Sequence, residues 1–152
     1  MSIITNIDQV GRTVAEYRQV GMSIVFTNGC FDIIHRGHVE YIERASEHGD
    51  ILVIGLNSDD SVRRLKGKDR PFVSQEDRAY ILSRLKPVDI VCIFEQDTPY
   101  ELIKIVKPDV LIKGGDYTLD NIVGRDIAKK TTTIPLITGK STTNIVDKIR
   151  SS

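Results

Sequence analysis

The sequence predicts an α/β fold, a single doubly wound domain with a five-stranded parallel sheet and helices on both faces. Apolar runs without polar alternation recur along the chain, as strands buried on both faces require. Between them lie segments with apolar residues at steps of three and four, most introduced by a capping residue. Strands that alternate with helices are joined by crossover connections, which makes the sheet parallel. The 152 residues, 40% of them hydrophobic, suffice for one domain with a real core.

Ile7, Val10, Val14, Tyr17 and Val20 form the apolar stripe of a first helix that Gly21 stops, so residues 1–21 read as an N-terminal helix packed on the domain. Ser23 to Thr27 follows as a β-branched and aromatic run between Gly21 and Gly29, the first strand. Further strands are expected at Ile51–Leu56, Ile90–Phe94, Val110–Ile112 and Thr133–Ile137. The last contains Pro135, whose missing N–H suits an edge or a strand end. Helical patterns occupy 37–48, 58–65, 75–85, 98–107, 120–130 and 141–150, with Ser58, Ser74, Thr98 and Ser141 as N-caps and His48, before Gly49, as a C-terminal cap residue. No repeat, low-complexity tract or linker divides 1–152, so the expected architecture is one Rossmann-like domain.

Charge narrows the function. With 21 basic and 21 acidic side chains the chain lacks the electrostatic footprint of a broad nucleic-acid binder, and no Trp is present to build a stacking platform. Any anion must therefore be met by local cations. No apolar run approaches the ~20 residues needed to span a bilayer, and the N-terminus carries no export signal, which predicts a cytoplasmic protein without membrane contact. Cys30 and Cys92 both sit in apolar, strand-like contexts that suit reduced thiols, and two thiols are too few for a zinc site.

In open parallel sheets ligands bind outside the carboxyl ends of the strands, so the loops there carry the chemistry. The first loop runs from Thr27 to His38, and two of the three histidines, His35 and His38, flank Gly37 at a helix start. Free N–H groups and the helix dipole favour an anion there, two imidazoles three residues apart can donate to one phosphate, and a glycine lets the backbone approach it. Read as a metal pair, the two histidines lack a third ligand nearby. After the next strand, Asn57 opens a helix that carries Arg63, Arg64 and Lys66, readable as phosphate ligands or as a solvated helix face. Ser74 to Arg78 begins another helix, with Asp77 near its cap and Arg78 in either a site role or a structural ion pair. Lys113, Gly114, Gly115 and Asp116 form a flexible loop that suits a base or ribose, and equally a plain turn. Gly139 to Thr143 places hydroxyls on a helix start; a Walker A loop is excluded because Ile134 occupies the position of its first glycine.

The stretch Asn28 to His38 resembles the signature of the cytidylyltransferase-like nucleotidyltransferases, whose His-x-Gly-His motif binds the triphosphate. Asn57–Gly67, Arg70-Pro71, Glu76-Asp77-Arg78, Lys107–Tyr117 and Gly139–Thr143 are similar to the branch that adenylylates D-glycero-β-D-manno-heptose 1-phosphate, an activity often fused to a sugar kinase. The resemblance implies a nucleotidyltransferase that joins the AMP moiety of ATP to a sugar 1-phosphate. It implies catalytic roles for His35, His38 and Lys66, and nucleotide contacts from Thr27, Asn28, Gly29, Cys30, Phe31, Asp32, Gly37, Lys113, Gly114, Asp116, Ser141, Thr142 and Thr143. Asn57, Arg64 and Arg78 would face the substrate. Mg²⁺ would arrive with ATP, with no ligand assigned in the protein, and the chain would form a homodimer. The alternatives are a glycerol-3-phosphate cytidylyltransferase using CTP and a regulatory nucleotide-binding domain without turnover. Residues 118–133 depart most from the family pattern.

Overall fold

The computed structural model describes residues 2–115 and 117–152; Asp116, expected in the nucleotide pocket, lies outside them. In chain order the elements are β1 (Ile3–Asn6), α1 (Ile7–Gln19), β2 (Ile24–Gly29), α2 (Arg36–Ser46), β3 (Ile51–Asn57), α3 (Asp59–Lys66), α4 (Gln75–Ser83), β4 (Ile90–Phe94), α5 (Tyr100–Val106), β5 (Val110–Gly114), β6 (Lys130–Ile134) and α6 (Thr142–Arg150). All pairings are parallel and the sheet order is β1-β4-β3-β2-β5-β6. The sheet therefore has six strands rather than five.

The additional strand is β1, which pairs Ile3 with Ile90 at the sheet edge. Only Thr5 of its four residues is buried, so it carries no apolar run for sequence reasoning to detect. Asn6 then caps α1, its side chain accepting the N–H groups of Asp8 and Gln9.

Alternate strand residues feed two cores. Ile24, Phe26 and Val53 pack with Val10 and Val14 of α1 and Leu102 and Ile103 of α5, whereas Val25, Leu52 and Ile54 pack with Ile42 of α2 and Leu82 of α4. Both faces are thus covered, which is why these runs are apolar throughout.

The expected helix over 120–130 is a short 3₁₀ turn, Leu119–Asn121, followed by turns, and β6 begins at Lys130. Gly124 causes the break: its φ is +91°, and a Cβ there would lie 2.6 Å from Ile103 Cδ1. The last strand ends at Ile134, so Pro135 falls just beyond it, where its missing N–H costs no ladder bond. Two cap assignments also shift. Glu47 rather than His48 caps α2, and Pro99 rather than Thr98 occupies the N-cap of α5.

From β2 the chain winds through β3 to β4 on one side and returns through β5 to β6 on the other. The topological switch point is between the carboxyl ends of β2 and β5, where this architecture opens a crevice.

Candidate active site

The cleft at the switch point has a volume of about 750 Å³. Its floor is the end of β2 and the loop that enters α2. Within that loop Phe31 and Ile33 adopt φ of +48° and +51°, a left-handed conformation that is costly for a β-branched residue. Between them Asp32 is buried, and its carboxylate accepts the Arg70 Nε–H at 2.9 Å and the N–H groups of Phe72 and Val73 at 2.8 and 3.0 Å. Its carbonyl accepts the Thr142 hydroxyl at 2.5 Å. One residue thereby ties the first loop to the segment after α3 and to the start of α6.

His35 is the N-cap of α2, and its Nδ1 accepts the Gly37 N–H at 3.0 Å; His38 Nδ1 accepts the His35 N–H at 3.2 Å. The two rings stack with centroids 3.9 Å apart. Burial pushes the His38 imidazole down to about 4, with repulsion from His35 adding and Asp32 opposing, and burial with the Lys140 charge also lowers His35. Both rings are therefore neutral at neutral pH. Because each Nδ1 accepts a backbone proton, each ring carries its own proton on Nε2. The pair is a fixed set of two neutral donors at a helix N-terminus.

Gly37 lets a second helix start approach the first. A Cβ on it would lie 2.8 Å from His35 Cε1 and 2.9 Å from the Lys140 Cβ. Ser141 caps α6 by accepting the Asn144 N–H at 3.0 Å, and Ser141, Thr142 and Thr143 line the cleft. Two helix N-termini converge on one space, a strong setting for a polyphosphate.

Most of the expected residues meet there: Asn28, Gly29, Cys30, Phe31, Asp32, His35, Gly37, His38, Asn57, Lys66, Lys113, Gly114 and the Ser141–Thr143 segment all line the cleft. Lys113 is lowered by burial, and burial raises the Cys30 thiol against the charges of Lys66, Arg78 and Arg70. Among the described residues, three expected ones are absent from the lining. Thr27 is buried beneath it, its hydroxyl 2.6 Å from that of Tyr41. Arg64 is turned to Asp97, at 2.7 Å, and to the Glu95 carbonyl.

Arg78 is wholly buried; it donates to the carbonyls of Val73, Cys30 and Asn57 at 2.8, 2.7 and 2.9 Å and to Asp59 at 2.8 Å. It holds the loops after β2 and β3 together rather than facing a ligand. The polar liners to which sequence reasoning gave no role include Tyr41, Arg70 and Lys140. The two cations had a signal, since both lie within the segments Arg70-Pro71 and Gly139–Thr143 that carry the family resemblance. Tyr41 had none beyond its place on an amphipathic helix.

The cytidylyltransferase-like family model matches residues 26–151. The bifunctional protein HldE of Nitratiruptor is 56% identical over 148 residues, 97% of this chain and 32% of that protein. The bifunctional protein HldE of Geobacter sulfurreducens is 48% identical over 150 residues, 96% of this chain and 31% of that protein. The chain thus spans about a third of the length of these curated relatives. Among solved structures, a lipopolysaccharide core biosynthesis protein from Thermoplasma volcanium superposes with a TM-score of 0.67 at 28% identity, over 77% of this chain and 99% of that one. Pantoate-beta-alanine ligase from Francisella tularensis shares the fold, with a TM-score of 0.61 at 16% identity over 100% of this chain and 79% of its own.

Proposed function

We propose that this chain, which belongs to the cytidylyltransferase-like family, joins the AMP moiety of ATP to a sugar 1-phosphate and releases pyrophosphate, with D-glycero-β-D-manno-heptose 1-phosphate as the acceptor. The observation that carries the reading is the pair of neutral imidazoles whose Nε2–H donors are fixed where two helix N-termini meet.

An oxygen of the sugar phosphate attacks the α-phosphorus in line, and the bond from that phosphorus to the oxygen bridging to the β-phosphorus breaks. A phosphate monoester is already ionised near neutral pH, with a second pKa of about 6, so no base is required to activate it. What the reaction requires is positioning and stabilisation of charge on the transferred group and on the departing pyrophosphate. His35 and His38 supply neutral donors, Lys66 a cation, and the first turn of α6 N–H groups and hydroxyls.

Mg²⁺ fits this site as the counter-ion of ATP. The one carboxylate buried in the loop, that of Asp32, is taken by Arg70, Phe72 and Val73, so the phosphates rather than the protein would hold the ion. Among the described residues, no helix is long and apolar enough to cross a membrane.

The experiment offers purified protein ATP or CTP with Mg²⁺ and, in turn, heptose 1-phosphate, a panel of other sugar phosphates and glycerol 3-phosphate, and measures pyrophosphate and nucleotide binding. Release with ATP is expected. Release with CTP and glycerol 3-phosphate alone would replace the substrate assignment, and nucleotide binding without release from any sugar phosphate would replace the enzyme with a binding domain.

A further inference from the structure

We infer that Arg70 anchors the phosphate of the acceptor, the sugar 1-phosphate, and that Asp32 is the positioning residue that aims it. The inference rests on the transferase reading above. Arg70 follows α3 on a turn closed by its own N–H donating to the Gly67 carbonyl at 3.1 Å. One edge of its guanidinium is fixed, with Nε 2.9 Å from Asp32 Oδ2, a carboxylate only 1% exposed. One face is covered by Phe72, whose ring centroid is 5.1 Å from Cζ. Among the described residues neither terminal nitrogen has a protein partner, although the side chain is only 19% exposed and lines the cleft.

An exposed surface pair contributes little and fixes nothing. Here a buried carboxylate, itself held by two backbone N–H groups, clamps the arginine at one nitrogen and leaves two donors in a planar fork. That fork matches two oxygens of a phosphate monoester, which a lysine cannot do.

The charges divide by place. Lys140 enters the cleft from the segment between β6 and α6, beside the two helix N-termini. Arg70 enters instead from the segment after α3, which follows β3 and so lies across β2 from β5 and β6. In-line displacement puts the nucleophile and the leaving group on opposite sides of the α-phosphorus, so two separate anions need two separate sets of cations. The side of α6 and the histidines serves the triphosphate, and the side of α3, led by Arg70, serves the acceptor.

The test compares Michaelis constants for ATP and for heptose 1-phosphate in wild-type protein, Arg70→Ala, Arg70→Lys and Asp32→Asn. Arg70→Ala is expected to raise the acceptor KM by roughly 10- to 100-fold while the ATP KM stays near wild type. Arg70→Lys keeps the charge near Asp32 and loses the fork, so it shows the same selective defect at smaller size and serves as the readout if the alanine variant is unstable. Asp32→Asn raises the acceptor KM and adds little in combination with Arg70→Ala, a coupling that a purely structural aspartate would not give. An unchanged acceptor KM, or an ATP KM that rises as much, overturns the assignment of Arg70 and leaves the transferase standing. Wild-type protein that binds neither ATP nor heptose 1-phosphate in a calorimeter overturns the transferase reading itself.

Discussion

At the scale of single residues, the histidine pair works because it is held neutral. Removing one preorganised donor of this kind costs about 10²–10³ in kcat, so His38→Ala is expected to lose that much with its fold intact, as read by steady-state kinetics beside a circular dichroism spectrum. Retained turnover would remove His38 from the chemistry. The same residue makes stability depend on pH. The unfolded chain binds this proton at the ordinary value of 6.5, the folded chain only near 4. Between those values the unfolded state holds more protons, so the contribution, roughly 3 kcal/mol, is complete above pH 6.5 and lost as pH falls toward 4. Thermal melts across that window should fall more steeply for wild type than for His38→Gln; parallel curves would contradict the burial argument. The motif itself was legible in the sequence, because His-x-Gly-His needs only a strand before it and a helix after it. The depressed basicity was not, since it arises from burial and, for His35, from Lys140, which is more than a hundred residues away in sequence.

At the scale of elements, the approach of α6 to α2 depends on Gly37. Gly37→Ala would force its Cβ against the His35 ring and the Lys140 Cβ, both under 3.0 Å. The expected result is a raised ATP KM with a smaller effect on the acceptor KM, and equal effects on both would mean that the two helix starts do not share one ligand. Most strands and helices were legible because their faces are buried and their periods survive in the sequence. β1 was not, being a four-residue edge with one buried side chain, held by pairing with β4. The segment before β6 was misread as a helix because Val123 and Ile127 keep helical spacing while Gly124, at positive φ against Ile103, breaks the backbone between them.

At the scale of the whole molecule, the sheet order creates the crevice and buried polar ties shape it. Arg78 joins the loops after β2 and β3 to the segment before α4 from inside the protein. Its expected role at the substrate came from its place in the sequence, which cannot distinguish a cation facing a ligand from one enclosed by three carbonyls. Arg78→Met is expected to destabilise the fold by about 2–4 kcal/mol, because those carbonyls lose their donors in a dry interior. Urea denaturation reads this directly, and a loss under about 0.5 kcal/mol, the size of an ordinary surface change, would show that the ties are not structural. The central claim concerns which phosphorus is attacked, and phosphorus NMR of a reaction with Mg²⁺, ATP and heptose 1-phosphate tests it most directly. Attack at the α-phosphorus predicts free pyrophosphate and the paired diphosphate resonances of an ADP-sugar in equal amounts. ADP appearing with a newly phosphorylated sugar would place the attack on the γ-phosphorus and contradict the account.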